Sequence, residues 1–161
     1  MHKGRIFQIN LSRGGVPKLA RAEGEVTALG LTGDGHNHPE VHGGPNAALC
    51  LYSLERILAL QEEGHPIFPG STGENLTLYG LDWEQVVPGV CLRLGNEVLV
   101  EVTRYTTPCK NIRESFLNQD SNRIHAQKYP GWARVYARVL QPGRVRAGDA
   151  VELKEGSNHL S

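Results

Sequence analysis

The sequence predicts a mainly β fold: a closed or partly closed antiparallel β-barrel carrying one main helix and a few short helices. Three observations predict it. Short runs of alternating or β-branched apolar residues recur along the chain, clearest at residues 5–11 and 98–103. Between them lie tight turns drawn from 19 Gly and 9 Pro in 161 residues. One stretch, residues 53–63, carries a helical repeat long enough for a principal helix. Six to eight short strands joined in this way must close or fold over, because an open sheet leaves unpaired N–H and C=O groups along each edge.

The elements follow in order. In residues 5–11, Phe7, Ile9 and Leu11 fall on one face and Gln8 and Asn10 on the other, the period of two of a half-buried strand. Gly14-Gly15-Val16-Pro17 closes it, and residues 25–29 read as a second, shorter strand. Residues 33–46, GDGHNHPEVHGGPN, form a polar loop with three histidines and two carboxylates. Such loops on a rigid scaffold are where binding groups collect. Ser53 caps a helix running to about residue 63, with Leu54, Ile57, Leu58 and Gln61 on one stripe, Glu55 near the positive end of the dipole and Gly64 as its C′ residue.

Residues 74–78 then read as a strand, and Asp82 caps a short helical turn with Gln85 at its third position. Residues 90–94 and 97–103 are strands joined by Gly95-Asn96, a two-residue hairpin signal. Residues 112–129 fit one or two short helices, ended by Pro130-Gly131. Beyond them Val135, Ala137 and Val139 alternate with Arg134, Tyr136 and Arg138, a half-buried strand with a basic outer face. Strands at Val145 and at residues 151–153 complete one domain over residues 1–154, followed by a frayed tail, 155–161.

Composition excludes several functional classes. Formal net charge is zero, so no global field recruits nucleic acid or an anionic membrane, and neither is expected as a partner. Three cysteines at no metal-type spacing do not make a disulfide framework. No signal peptide opens the chain and no apolar run reaches membrane-spanning length, so the expected compartment is the cytoplasm. Charge is nevertheless uneven: residues 1–103 hold 7 Lys/Arg against 12 Asp/Glu, and residues 104–138 hold 7 against 2.

Within the basic segment a strand delivers Thr106-Thr107-Pro108-Cys109-Lys110. Thiol reactivity follows the thiolate fraction, which rises beside cations. Arg104, Lys110 and Arg113 all lie within a few residues of Cys109, whereas Cys50 and Cys91 sit in apolar runs and read as core. Three further groups of residues could carry chemistry. His36, His38 and His42, with Asp34 and Glu40, are possible ligands for zinc or iron, or else surface histidines. His42-Gly43-Gly44-Pro45 could present backbone N–H groups to an anion, or be only a turn. Glu74 and Asn75, in Gly73-Glu74-Asn75-Leu76, could bond a ligand, or hold their own loop.

Taken together, these motifs resemble the MOSC domain, the module found at the C-terminus of molybdenum cofactor sulfurases and as free-standing bacterial proteins. The resemblance rests on five motifs in order: Gly33-Asp34 with His36; His42-Gly43-Gly44-Pro45 running into residues 48–52; Gly73-Glu74-Asn75-Leu76; Pro108-Cys109 after a strand; and Gly131-Trp132 with residues 136–140, Gly143 and Gly148-Asp149. It implies a barrel-like fold, binding of the molybdenum cofactor (molybdopterin), and a cysteine, Cys109, that carries sulfur as a persulfide or ligates molybdenum. The implied cofactor-binding set is Asp34, His42, Gly43, Gly44, Glu74, Asn75, Arg104, Lys110 and Arg138. A sulfur donor or reductase protein is the implied partner, and some stand-alone relatives act in molybdenum-dependent reduction. Asn46-Ala47 stands where related proteins often have a basic residue. No pyridoxal-phosphate site is expected in this chain. The alternatives are a non-catalytic module that delivers or senses cofactor and, in third place, a metal-dependent hydrolase using His36, His38 and His42.

Overall fold

A computed structural model describes residues 3–35 and 44–154. The chain begins with β1 (Lys3–Leu11), which is shared between neighbours along its length. Its first residues pair with β11 (Ala150–Lys154), its middle with β6 (Leu76–Tyr79) and its end with β2 (Leu19–Arg21). Because β1 touches both β6 and β11, the ring β1-β6-β5-β9-β8-β7-β11 closes on itself. The remaining members are β5 (Leu49–Ser53), β7 (Cys91–Leu94), β8 (Val98–Tyr105) and β9 (Val135–Gln141). The barrel is closed, and its seven strands leave no free edge except where β2 extends one end.

Its interior is filled by the inward residues of each strand, among them Ile6, Leu49, Leu51, Leu76, Leu78, Leu92, Val100 and Val151, all at most 1% exposed. A small flanking sheet, β10-β3-β4, covers one side with β3 (Glu23–Thr27), β4 (Gly30–Leu31) and β10 (Gly143–Arg146).

All the barrel pairings are antiparallel except β5 with β6, which run parallel. Helix α1 (Leu54–Glu62) makes that possible, since two parallel strands need a crossover and a helix supplies it. As expected, Ser53 caps α1, its hydroxyl accepting from Arg56 N–H, and Gly64 follows with φ +100°. The buried stripe, however, is Ile57 and Leu60, while Leu58 is 49% exposed. Asp82 likewise caps the turn Trp83–Gln85 by accepting from Glu84 N–H.

Other details depart from the sequence expectations. Strand β5 was not anticipated, because all five of its residues are buried and its two faces show no alternation. The loop between β7 and β8 has three residues, since Leu94 pairs with Val98. Glu97 is drawn out of the ladder: its carboxylate accepts from Arg144 N–H at 3.0 Å, docking β10 on the hairpin. The stretch expected to hold one or two helices forms three 3-10 turns, Lys110–Ser115, Leu117–Gln119 and Ser121–Ile124. The predicted tail, like residues 36–43, lies outside the described residues. Among the described residues, no helix is long and apolar enough to cross a membrane.

Candidate functional site

The outer face of β5 and β9 forms the floor of a cleft. Cys50 and Tyr136 are register partners across that pair and, with Ala47, make an apolar cluster separate from the barrel core. Over this floor stand three walls: residues 15–18 with Gly35, the loop 72–75, and Cys109 with Asn111 and Ile112. Arg134 completes the lining, and the space enclosed is about 600 Å3, part of it open to solvent.

The loop wall is held by Glu74, which is fully buried. Its carboxylate accepts from Gly70 N–H (2.9 Å), Thr72 Oγ1 (2.6 Å) and Thr77 Oγ1 (2.9 Å), so it braces the loop from behind. Gly70 must be glycine here. Its φ is +90°, and a Cβ would lie 2.3 Å from the Lys18 carbonyl oxygen. That carbonyl contact brings residues 16–18 against the loop, reinforced by Lys18 N–H donating to Gly70 C=O at 2.9 Å.

Asn75 ties the same wall to the floor. Its Oδ1 accepts from Cys50 N–H (2.9 Å), and its Nδ2 donates to Asp34 Oδ2 (2.9 Å). Asp34 in turn pairs with the Lys18 ammonium and accepts from Ser12 N–H. Both ion-pair partners are buried, at 7% and 3% side-chain exposure, so each needs the other.

The second strand of the floor is positioned by a run of captured carbonyls. Arg56 Nε donates to Gly131 C=O, Tyr52 Oη to Trp132 C=O, Trp83 Nε1 to Ala133 C=O and Thr106 N–H to Arg134 C=O, at 2.6–2.9 Å. Four successive residues are thereby fixed, and Arg134 is aimed across the cleft. Its Nη1 donates to Thr72 C=O (2.6 Å) and its Nη2 to Thr107 C=O (3.5 Å). Arg134 is 4% exposed and its Nε has no hydrogen-bond partner.

Cys109 sits at the start of the first 3-10 turn in extended conformation, half-buried, with its side chain not used as a cap. Cys50, by contrast, is packed in the floor against Thr106 Oγ1 (3.7 Å), and burial pushes its thiol up despite the opposing pull of Arg134. Burial also pushes the Tyr136 phenol well above the usual tyrosine range.

The expected site residues therefore divide. Cys109 and Asn75 line the cleft, and Asp34 lies one bond behind it through Asn75 and Lys18. Glu74 is consumed inside its own loop, the alternative the sequence left open. Arg104 stacks on the Tyr136 ring (4.8 Å) of the cleft floor but lines a neighbouring depression, where Arg138 pairs with Glu101 (2.7 Å). Lys110 is exposed and outside the cleft lining. Gly44, φ +77°, opens the turn Pro45–Ala47, whose last residue reaches the floor. His36, His38, Glu40, His42 and Gly43 lie outside the described residues, and no group of three metal-type side chains occurs among those described. The cleft's cations are instead Lys18 and Arg134, which the sequence reading did not select. Arg134 was visible only as part of a basic strand face, and its burial comes from the loop 72–75 and the Thr107 backbone, both distant from it in sequence.

This arrangement can be set beside known proteins. A family model described as the MOSC domain matches residues 38–152. The chain belongs to the MOSC domain family. Among MOSC relatives, it is 35% identical over 123 residues to the uncharacterized protein YflK of Bacillus subtilis, a match covering 75% of this chain and 54% of that protein. It is 33% identical over 146 residues to protein YiiM of Escherichia coli, covering 83% and 61%. The chain thus spans about three-fifths or less of the length of these two relatives. The crystal structure of YiiM from Geobacillus stearothermophilus superposes with a TM-score of 0.71 at 26% identity, over 94% of this chain and 75% of that one.

Proposed function

We propose that the cleft of this MOSC domain binds a molybdenum-linked cofactor and that Cys109 is its sulfur group, either ligating the metal or carrying a sulfane sulfur. The observation that carries this reading is that a half-buried thiol not consumed by capping shares one cleft with two buried cations, Lys18 and Arg134. The donor set fits such a ligand. A thiolate is a soft ligand suited to a sulfur-liking metal, guanidinium and ammonium groups suit phosphate and oxo groups, and the apolar floor of Ala47, Cys50 and Tyr136 suits a flat ring.

When bound, the cofactor would supply the redox chemistry of its metal. The chain's own residues bind and orient. Arg134 and Lys18 hold negative charge at the cleft base, Asn75 and Asp34 keep Lys18 in place, and Cys109 presents sulfur at the mouth. As a sulfur carrier, the Cys109 thiolate attacks the outer sulfur of a donor persulfide. One S–S bond forms as another breaks, and the donor leaves as a thiolate. The donor, or a reductase, is the proposed partner.

The test is persulfide labelling with and without Cys109. Polysulfide-treated wild type should gain one 32 Da label at Cys109, and Cys109→Ser should gain none while keeping its circular dichroism. A label that survives the substitution ends the sulfur-carrier reading. Anaerobic native mass spectrometry of freshly purified protein should show the mass of a bound pterin.

A further inference from the structure

We propose that His65 is a pH-sensitive clasp on the wall that carries Cys109: neutral, it holds the turns following Cys109 against α1, and on taking up a proton it lets them loosen. The inference rests on the reading above only in taking this cleft as the working site, and it adds how access to the thiol is regulated.

His65 follows Gly64 just past the end of α1, and its side chain is 8% exposed. Its Nδ1 accepts from the Leu117 N–H at 3.0 Å. Leu117 opens the turn Leu117–Gln119, and the first N–H groups of a helical turn have no partner within it, so the imidazole caps this turn from another element. A ring nitrogen that accepts carries no proton. The bond therefore assigns the ring hydrogen to Nε2, which lies 3.4 Å from Glu63 Oε1.

What the clasp holds is strained. Asn118 and Gln119 both have left-handed backbone, φ +56° and +54°, a conformation that is costly for any residue with a Cβ. Upstream, the chain leads without a break through Phe116 and the turn Lys110–Ser115 to Cys109, and the cleft-lining Asn111 and Ile112 lie on that turn. The Phe116 ring packs edge-on against the imidazole, with centroids 5.5 Å apart. Ser115 Oγ reaches the Ser71 carbonyl, next to the loop 72–75, at 3.5 Å. A change at Leu117 is thus passed along the wall of the cleft.

Protonation reverses the contact at Nδ1. Both nitrogens of an imidazolium donate, so Nδ1–H and the Leu117 N–H meet head to head and their bond is lost. Glu63 does little to offset this. Both its oxygens already accept from Arg123, at 2.9 and 2.8 Å, and Arg123 chiefly holds its carboxyl below the usual carboxylate range, so it is charged in either state of the imidazole. Among the described residues, Glu63 at the end of α1 and Arg123 from the turn Ser121–Ile124 are the charged groups gathered at His65, and the second of them is itself a cation. The segment between Ser115 and Gln119 presents only the Phe116 ring and the Leu117 N–H.

The experiment follows the whole 15N-labelled chain by NMR between about pH 8 and pH 5, which spans the ordinary imidazole titration. Over the same range, iodoacetamide alkylation of Cys109 is timed by mass spectrometry in wild type and in His65→Asn, whose amide oxygen can accept from Leu117 at every pH. The wild-type Leu117 amide signal should move with the same midpoint as the His65 ring signals, and in His65→Asn it should stay put. The ratio of wild-type to His65→Asn alkylation rates should rise about fivefold from the top of the range to the bottom, the equivalent of one hydrogen bond. Taking the ratio cancels the loss of thiolate that both proteins share. A Leu117 signal that holds still while His65 titrates overturns the proposal, as do a His65 ring that stays neutral to the bottom of the range and a rate ratio that does not change. Should His65→Asn not fold, the wild-type Leu117 signal alone decides. None of these readouts uses a persulfide or a cofactor, so the clasp and the sulfur reading can fail separately.

Discussion

Glu74 offers the sharpest separation between a residue that builds the site and one that works in it. The isosteric change Glu74→Gln keeps the shape of the side chain but removes the charge toward which Gly70, Thr72 and Thr77 donate. A charge-assisted hydrogen bond is worth about 1.5–3 kcal/mol and a neutral one about 1. With the Gln oxygen at the Oε2 position, Gly70 and Thr77 donate to a neutral acceptor, and Thr72 Oγ1 has to turn to accept from the new Nε2–H. Two downgrades and one reversed bond cost roughly 3 kcal/mol, from which the relief of no longer burying a carboxylate takes back about 1. The expected destabilisation is about 2 kcal/mol. With a urea dependence on the order of 2 kcal/mol per molar, the unfolding midpoint should fall by about 1 M at unchanged slope.

Glu74→Ala should fall by about twice as much, because it leaves three buried donors without an acceptor. In the folded protein, both variants should let iodoacetamide alkylate Cys109 at a rate within about twofold of wild type. A Glu74→Gln midpoint within about 0.2 M of wild type, accompanied by loss of oxyanion binding or of Cys109 labelling, would refute the bracing role and return Glu74 to the ligand.

The remaining predictions concern the frame. Leu60→Ala should cost about 2–5 kcal/mol by thermal or urea unfolding, since Leu60 is fully buried, whereas Leu58→Ala, at 49% exposure, should stay within about 0.5. The Tyr52 and Tyr136 phenols are both pushed up by burial, so the folded protein keeps protons that the unfolded chain gives up above about pH 10. Stability is therefore unaffected below that pH and should decline as pH rises beyond it. Tyr52→Phe and Tyr136→Phe should each flatten that decline, which urea unfolding between pH 9 and 11 will measure.

How much of this was legible follows from where each signal resides. Caps, turns and alternation are local, so Ser53, Asp82, the β7–β8 hairpin and the half-buried strands could be read from neighbours in the sequence. Strand β5 could not, because burial on both faces erases the period of two, and its parallel partnership with β6 depends on a helix lying across the barrel. The helix stripe was misjudged by one residue in the same way. Leu58 and Leu60 are equally apolar, and only the barrel's position decides which of them is covered.

The site was legible in its sulfur and not in its cations, and the reason is physical. Cys109 stood out because a Pro-Cys at the end of a strand is exposed to one loop only. The cations expected to serve it, Arg104, Lys110 and Arg138, do not line its cleft, although Arg104 and Arg138 share the outer face of the sheet with Tyr136 and are only displaced along it. Arg138 and Arg104 ended in a different depression. Arg134 shares its strand face with Arg138. It differs because the loop 72–75 and the backbone at Thr107 close over its end of that face while Arg138 stays in solvent. Lys18 arrives from a segment with no sequence link to Cys109, held by the one glycine whose missing side chain lets the Lys18 backbone approach. Charge near a thiol along the chain is therefore a weak guide to charge near it in space. Measuring oxyanion affinity in Arg138→Met beside Arg134→Met puts that to the test: the two residues lie four apart, Arg134 just ahead of β9 and Arg138 within it, and only the enclosed one should matter.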